Sequence, residues 1–251
     1  MFELLTSCFD IEKLGTHEIS LFSGPRHPVR AYASKKPTDL VHVRRLLPWD
    51  RSLHVIYMQR DPRDVIVSQH NSHPGEYWCD FPLWERNERL HQKLCGHPRF
   101  YVCKYENLVT ETEIEQTRIE EVFPFLKRRY DFSQFEMVSR SSEEASLALG
   151  GVRTISDASI GTWHKNLPRV SAQLSAYPSL AKAVVRSGYS EDMNWISVCD
   201  GIAPDSTESV RAKHDPLRGK KKLARLFHRI VRRMKTFTDE ILYILGWRKA
   251  I

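Results

Sequence analysis

An apolar run that passes directly into the start of a helix is the part of this sequence that limits the possible folds most. Residues 54–58, His-Val-Ile-Tyr-Met, have the length and composition of a buried strand. The next residues are Gln-Arg-Asp-Pro-Arg-Asp, in which Asp61 can cap a helix and Pro62 suits the first helical position. A strand, a tight turn and a helix in so short a stretch are typical of the βα unit from which parallel sheets are built.

The same alternation extends over most of the chain. Strand-length apolar runs occur at residues 27–33 and 100–105, and helical patterns occur at residues 1–10, 111–126 and 179–187. Because 41% of the 251 residues are hydrophobic, the chain can bury one sizeable core. We therefore predict an α/β domain over residues 1–202, in which helices flank a parallel sheet.

The C-terminal part of the chain differs from this body in charge. The whole chain has a formal net charge of +7, but residues 211–251 contain 13 Lys or Arg and 3 Asp or Glu, so residues 1–210 carry a net charge of −3. We expect residues 203–218 to be a linker and residues 219–251 to form a basic amphipathic helix, since apolar residues recur there at helical spacing. Three partners fit such a helix: an anionic membrane surface, the body of this chain or a second subunit, and nucleic acid bound nonspecifically. Nucleic acid is the weakest of the three, because no recognised nucleic-acid motif accompanies the charge.

Neither export nor a structural metal site is indicated by the sequence. No run approaches the roughly 18 apolar residues that span a bilayer, and the first ten residues lack the basic flank and apolar run of a signal peptide. The five cysteines are scattered and form no Cys-x-x-Cys pair, which argues against a disulfide framework and a zinc site. We expect a cytoplasmic protein without a metal, with the basic helix as its candidate peripheral contact to a membrane.

Arg60 and Ser68 are the residues of the βα unit that indicate a binding site. A guanidinium at the carboxyl end of a strand, beside a helix N-terminus, favours a phosphate group, because backbone N–H groups and a bidentate cation converge there. Ser68 follows Arg60 by eight residues, and a continuous helix would bring its hydroxyl back within two turns of the arginine. A capped surface turn with ordinary ion pairs is the alternative interpretation of this segment alone.

Three segments, in this order, resemble the sulfotransferases that use 3′-phosphoadenosine 5′-phosphosulfate. Residues 57–68, Tyr-Met-Gln-Arg-Asp-Pro-Arg-Asp-Val-Ile-Val-Ser, resemble the family's 3′-phosphate motif. Residues 104–109, Lys-Tyr-Glu-Asn-Leu-Val, resemble its Arg-Tyr-Glu-Asp-Leu segment, and residues 153–167 resemble its late Gly-x-Trp loop. The resemblance implies a three-layer fold similar to the P-loop nucleotide kinases, and transfer of a sulfuryl group from this nucleotide to an acceptor hydroxyl or amine.

The resemblance also implies which residues bind the nucleotide donor. Arg60 and Ser68 would share the 3′-phosphate, and Tyr105 would stack against the adenine. Arg153 and Ser159 would lie over the nucleotide, although the Arg-Lys-Gly triplet of the cytosolic members is absent here. Trp163 is interpreted as a core residue. The loops around Trp78–Trp84, which are rich in aromatic residues together with Tyr77, are expected to line the acceptor site, whose occupant the sequence does not identify.

Lys36 and His42 are the candidates for catalysis. Lys36 stands before Pro37 in a segment that resembles the lysine-containing stretch ahead of the family's 3′-phosphate motif. Its ammonium group would offset the charge of the leaving phosphosulfate, by analogy with phosphoryl transfer. His42 could accept the proton of the acceptor hydroxyl, and a solvated helical histidine is the alternative interpretation.

One part of the family's site has no counterpart in this sequence. The family holds the 5′-phosphosulfate with a loop resembling Pro-Lys/Arg-Ser-Gly-Thr-Thr, whereas residues 23–26, Ser-Gly-Pro-Arg, lack the continuation. We therefore expect the sequence to begin just past that loop, as an N-terminally truncated domain with weak or no activity. Two other functions stay open: a fragment of a P-loop nucleotide kinase, and a non-catalytic membrane- or partner-binding protein with a degenerate sulfotransferase body.

Overall fold

The computed structural model describes residues 1–13, 18–25, 29–70, 73–139 and 154–210. Over these ranges the protein is a mixed α/β structure with helices around a small parallel sheet, as the alternating pattern predicts. Arg153 and the expected basic helix at 219–251 lie outside the described residues. Within the described ranges, no helix is both long enough and apolar enough to cross a membrane.

The elements follow one another in a regular order. The α-helices are α1 (Phe2–Cys8), α2 (Leu40–Leu46), α3 (Pro62–Ile66), α4 (Phe81–Gln92), α5 (Tyr105–Thr110), α6 (Thr112–Val122), α7 (Phe135–Val138), α8 (Leu167–Ala176) and α9 (Ser179–Arg186). The strands are β1 (Glu12–Lys13), β2 (Tyr32–Ala33), β3 (Val55–Gln59), β4 (Gln69–His70), β5 (His73–Tyr77) and β6 (Phe100–Lys104). Short 3-10 helices lie at Pro37–Asp39, Phe132–Gln134, Thr162–Lys165 and Met193–Cys199.

The parallel pair β3 and β6 is the centre of the described fold. The two strands pair over their full five residues, from Val55 opposite Phe100 to Gln59 opposite Lys104. Both strands are rich in β-branched and aromatic residues, which suit a pleated surface with neighbours on both sides. This pairing confirms the parallel arrangement that the βα unit predicts. β1 and β2 form a second, two-residue parallel pair.

Helices pack against both faces of β3 and β6. Side chains of a strand alternate between faces, and here the alternation divides the core into two clusters. On one face, Ile56, Met58 and Cys103 join residues of α1 and α6. On the other face, Tyr57 and Phe100 join residues of α2 and the C-terminal part of α4. The Cys103 side chain is fully buried in the first of these clusters.

A third cluster lies beyond the ends of the strands. It joins α3, the N-terminal part of α4, α8, α9 and the tryptophans of two 3-10 helices. Residues 203–210, the first part of the expected linker, are held against this cluster. The guanidinium of the buried Arg169 donates to the Thr207 carbonyl at 2.6 Å and lies 4.3 Å from the Tyr77 ring centroid. The Tyr77 hydroxyl in turn donates to Asp205 at 2.7 Å.

The expectation of a continuous helix from Asp61 through Ser68 is wrong. Asp61 caps α3 and Pro62 occupies its first turn, as predicted, but the helix ends at Ile66. Three β-branched residues, Val65 to Val67, follow one another at its end, and such side chains lose χ1 freedom in a helix. Ser68 therefore lies past the helix, ahead of an antiparallel pair, β4 with β5, that the sequence patterns do not indicate.

Helix α6 has one isoleucine in the core and one on the surface, so it can test which of its faces is buried. The Ile119 side chain is 0% exposed in the cluster with α1, whereas Ile114 on the same helix is 52% exposed. We expect Ile119→Ala to lower the free energy of unfolding by about 2–5 kcal/mol, because it removes buried methyl groups and leaves a cavity. Ile114→Ala is the matched control and should change it by about 0.5 kcal/mol or less. Urea unfolding of both variants measures the difference, and equal losses would contradict the assigned core.

Candidate functional site

The parallel register brings Arg60 and Tyr105 to one edge of the sheet. Gln59 is opposite Lys104, so the residues that follow them leave the two strands side by side. The guanidinium carbon of Arg60 lies 4.5 Å from the centroid of the Tyr105 ring. This is a cation–π contact, which holds the guanidinium on one face of the ring. Two of the residues that the sequence assigns to nucleotide binding are therefore in direct contact.

The Ser159 carbonyl is the third member of this cluster. It accepts a hydrogen bond of 2.5 Å from Nη2 of Arg60, so Ser159 contributes its backbone to the described contact. The same Nη2 lies 3.9 Å from a carboxylate oxygen of Asp64. Nε of Arg60 is buried and has no hydrogen-bond partner within the described residues, while the side chain as a whole is 23% exposed. The contacts of Nη2 therefore hold the Arg60 side chain in place. Its Nε is a donor without an acceptor among the described residues, which is unusual because buried donors in proteins are normally paired.

Asp64 fixes the loop that carries Ser159. Its buried carboxylate accepts hydrogen bonds from the Gly161 N–H at 2.8 Å, from the Thr162 hydroxyl at 2.9 Å and from the Trp163 N–H at 2.9 Å. Gly161 has φ +70°, a left-handed conformation that side chains with a Cβ rarely adopt. The carboxylate is therefore satisfied by three donors in addition to the nearby Arg60, as a buried charge must be.

The N-terminus of α3 is occupied by carboxylates of the protein itself. The Asp61 side chain accepts from the Arg63 N–H at 2.8 Å, and the Asp61 N–H donates to Glu106 at 3.1 Å. Sequence reasoning expected these backbone donors to face a phosphate group. In the described structure the Arg63 N–H donates to Asp61 and the Asp61 N–H donates to Glu106, so these two donors are already used within the protein.

Asp61 and Arg63 form a buried ion pair next to this edge. Two Asp61 oxygens face the Arg63 guanidinium, with the shortest distance 2.7 Å from Nη2. Burial raises the pKa of Asp61, and the hydrogen bonds and charge of Arg63 oppose that effect. The guanidinium also lies 4.2 Å from the Trp163 ring centroid and 5.1 Å from that of Trp195. Trp163 is a buried core residue, as expected.

A second polar link joins the start of α5, directly after β6, to the segment after α9. Glu106 accepts a hydrogen bond from the Tyr189 hydroxyl at 3.1 Å. Burial, followed by the nearby Glu106 carboxylate, raises the pKa of Tyr189 well above its usual range, so the hydroxyl stays protonated and remains a donor. The Lys104 ammonium lies 5.4 Å from the centroid of the same ring. Lys104 and Arg60 thus place two cations at the carboxyl ends of β6 and β3.

A buried polar group lies on the face of β3 that packs against α4. The amide of Gln59 donates to both Glu88 oxygens, at 3.2 Å and 3.3 Å. His91 Nδ1 lies 3.3 Å from Glu88, and the His91 ring stacks on Tyr57 with centroids 4.9 Å apart. Burial alone would raise the pKa of Glu88, but hydrogen bonds and charge from His91, with the bonds from Gln59 and Gln92, lower it.

The other predicted site residues lie on separate elements. Ser68 is half-buried beyond the end of α3, and its carbonyl accepts from the Trp78 N–H at 2.8 Å. Its hydroxyl has no recorded hydrogen bond among the described residues. Lys36 is half-buried at the start of the 3-10 helix that leads into α2. His42 lies on α2, where its ring contacts Phe22 edge-on at 5.2 Å.

Three of the four aromatic residues in the stretch expected to line an acceptor site are buried instead, and Trp78 is half-buried. Phe81 and Trp84 lie on α4 and are buried in the cluster with α3 and α8. Tyr77 is buried as well and contacts Arg169. The sequence does contain a signal for this helix. The Asp80 side chain accepts a hydrogen bond from the Leu83 N–H and so caps α4, and Pro82 lies in the first turn of the helix.

Sequence reasoning also missed four residues that organise the cluster. They are Asp64, Glu106, Lys104 and Tyr189. Asp64 could have been found by its position in the first turn of α3, four residues after Arg60 along the chain. Lys104 and Glu106 flank Tyr105, so the register that predicts Tyr105 at this edge also predicts them. No local signal points to Tyr189, since its partner Glu106 is 83 positions away.

Comparison of this chain with models of protein families, with curated proteins and with solved structures found no match. Within the described ranges, no group of three or more His, Cys, Asp or Glu residues is arranged to hold a metal ion.

The contacts of Asp64 predict a large effect on stability. Asp64→Ala would leave the half-buried Gly161 N–H and the buried Trp163 N–H without their acceptor, so we expect the free energy of unfolding to fall by at least about 3 kcal/mol. Thr162→Val, which removes only one of the three hydrogen bonds, is the control and should cost about 1 kcal/mol. Urea unfolding distinguishes the two, and similar losses would show that the carboxylate does not organise the loop.

The lowered pKa of Glu88 predicts a pH dependence of stability. A carboxyl group whose pKa is lower in the folded state stabilises the fold above its unfolded pKa, about 4.3, and this contribution is lost as the pH falls further. Glu88→Gln removes the titrating group. We expect the unfolding free energy of the wild type to fall more steeply than that of the variant between about pH 5 and pH 3. Parallel curves in urea titrations at each pH would contradict the assignment.

Proposed function

We propose that this protein binds the sulfate donor 3′-phosphoadenosine 5′-phosphosulfate and transfers its sulfuryl group to an acceptor hydroxyl or amine. The observation that carries the proposal is the meeting of Arg60, Tyr105 and Ser159, from three distant segments, at the carboxyl ends of two parallel strands. In open parallel sheets, ligands bind at this edge. The resemblance of the same three segments to the sulfotransferases supports a nucleotide as the ligand.

Arg60 would bind the 3′-phosphate. Its buried Nε has no partner among the described residues, and a phosphate oxygen would complete its hydrogen bonding. Ser159 and Asp64 would act as positioning groups, because both contact Nη2 of Arg60 and hold the guanidinium against the loop at 157–163. The Ser68 hydroxyl, which lies past the end of α3, would be the second ligand of this phosphate.

Tyr105 would carry the adenine. The guanidinium of Arg60 covers one face of its ring, so an adenine would stack on the opposite face. Arg60 would then lie between the base platform and the 3′-phosphate, where one cation serves both contacts. Arg153, from the loop that also resembles the family, would add a further cation to the nucleotide.

The finer architecture belongs to the same proposal. We propose a three-layer arrangement similar to the P-loop nucleotide kinases, with β3 and β6 in its middle layer. Two features support it: the strands are parallel, and separate helix clusters cover their two faces. In this arrangement the βα turn after β3 takes the position of the 3′-phosphate motif.

In the transfer step, the acceptor oxygen or nitrogen would attack the sulfur atom. The bond between sulfur and the bridging oxygen of the 5′-phosphate would break, and adenosine 3′,5′-bisphosphate would leave with the electron pair. Lys36 would offset the charge on that oxygen, and His42 would take the acceptor proton. No counterpart of the family's 5′-phosphosulfate loop is recognised in residues 1–251, so the proposal is tested on the 3′-phosphate half.

The test is calorimetry with adenosine 3′,5′-bisphosphate and with adenosine 5′-monophosphate, which lacks the 3′-phosphate. We expect the wild type to bind the bisphosphate more tightly. Arg60→Ala should weaken binding of the bisphosphate by about 10- to 100-fold, the effect of losing a charge-assisted contact, and should abolish the preference over the monophosphate. Tyr105→Leu should weaken both ligands alike, because it acts on the base.

Arg186→Ala is the matched control, since Arg186 is an exposed arginine on α9. It should leave both affinities unchanged. Equal affinity of wild type and Arg60→Ala for the bisphosphate would refute the donor site. Binding that requires magnesium would instead favour a nucleotide kinase, and no binding of either nucleotide would favour a non-catalytic body.

A further inference from the structure

A groove with basic walls runs between α2 and α4, away from the Arg60 cluster. Its volume is about 410 Å³, and its apolar lining comes from Val41, Pro82 and Leu90. Its charged lining comes from α4: Glu85, Arg86, Arg89 and Lys93. Glu85 is ion-paired with Arg89 at 3.1 Å, so the α4 wall keeps a positive excess.

Helix α2 adds cations beside the same groove. Arg44 and Arg45 are exposed and follow Val41 by three and four residues, the spacing that places side chains on one helix face. On α4, Pro82, Arg86, Arg89 and Lys93 follow the same spacing. The two helices therefore present one basic face, which is defined by Arg44, Arg45, Arg86, Arg89 and Lys93. The basic face contrasts with the net negative charge of residues 1–210.

Trp49 projects from the turn at the end of α2, four residues after Arg45. Its side chain is 87% exposed, the most exposed large hydrophobic residue of the described ranges. The turn that carries it is firmly held: Asp50 N–H donates to Leu46 at 2.8 Å, and the Arg99 guanidinium donates to the carbonyls of Leu47, Asp50 and Leu53. Exposure of this indole is thus built into the turn.

We propose that the basic face and Trp49 together bind an anionic lipid bilayer. Clusters of Lys and Arg are attracted to anionic headgroups, and tryptophan prefers the interface between headgroups and acyl chains. The apolar lining of the groove, here called its apolar floor, lies beside the cations and suits the glycerol and upper acyl region of a lipid. This surface is formed by residues other than 219–251, and the proposal does not depend on the proposed transfer activity.

Charge argues for this occupant over the chain's own tail. Residues 211–251 carry 13 Lys or Arg against 3 Asp or Glu, so they would be repelled by the basic face. A bilayer also uses Trp49 and the apolar floor at the same time as the cations. A second copy of this chain or a nucleic acid would be revealed by the outcomes of the test.

The first experiment measures binding of the full chain to vesicles of phosphatidylcholine with phosphatidylserine, and to vesicles of phosphatidylcholine alone. We expect binding only to the anionic vesicles. The triple variant Arg45→Gln, Arg89→Gln, Lys93→Gln should bind at least about tenfold more weakly, given the contribution of each basic residue near such a surface. The matched control removes three exposed cations elsewhere, in Lys127→Gln, Lys182→Gln, Arg186→Gln, and should keep wild-type binding.

The second experiment reports on Trp49 itself, so that binding through the tail is not mistaken for binding through this face. Trp247→Phe removes the tail's tryptophan. With brominated lipids in the anionic vesicles, we expect fluorescence of this variant to be quenched mainly at the exposed Trp49, because Trp84, Trp163 and Trp195 are buried and Trp78 is half-buried. The additional change Trp49→Phe should remove most of the quenching.

Three outcomes would overturn the proposal. The first is equal vesicle binding by the two triple variants, and the second is quenching that survives Trp49→Phe. The third is a preference of the basic face for another partner: either a DNA duplex bound more tightly than the vesicles, or self-association in sedimentation, in each case abolished by the Arg45, Arg89 and Lys93 substitutions.

Discussion

The parallel register of β3 and β6 is the constraint on which the described site depends. Because Gln59 is opposite Lys104, every residue that follows one strand has a neighbour that follows the other. Arg60 meets Tyr105 for this reason, and the Asp61 N–H reaches Glu106 for the same reason. A slip of one residue would turn each side chain of β3 to the opposite face and would separate these pairs. Packing of different helices on the two faces makes such a slip costly.

Buried charges around this edge are matched by specific donors and acceptors. Asp64 accepts three hydrogen bonds from the loop at 161–163, and Asp61 is paired with Arg63. Glu88 is bonded to Gln59 and lies near His91. Burial of an unmatched charge would cost several kcal/mol, so each partnership restricts the positions of the segments that carry it. Arg60 is held in place by such contacts as well, but its buried Nε has no hydrogen-bond partner among the described residues, and this donor is the physical basis of the proposed phosphate site.

Much of the local structure could be predicted from short stretches of sequence. Asp61 and Pro62 start α3, apolar runs mark β3 and β6, and Gly188 follows the end of α9, because capping and strand propensity act between near neighbours. The length of α3 was predicted wrongly, since the Arg60–Ser68 spacing was given more weight than the β-branched run that ends the helix. The aromatic stretch 77–84 was interpreted as a binding loop, although a capping signal at Asp80 begins α4 there. The assignment to the sulfotransferases stays a prediction.

The sequence by itself determined the βα unit, the placement of Arg60 and Tyr105 at strand ends and the concentration of positive charge after residue 211, because these follow from composition and from neighbours along the chain. Only the tertiary structure decided that the Ser159 carbonyl holds Arg60, that Asp64 anchors the loop and that the N-terminal donors of α3 are used by Asp61 and Glu106. Arg60 and Ser159 are 99 residues apart, and such contacts depend on how separate elements pack. Burial and hydrogen-bond satisfaction belong to the assembled core, which no short segment contains.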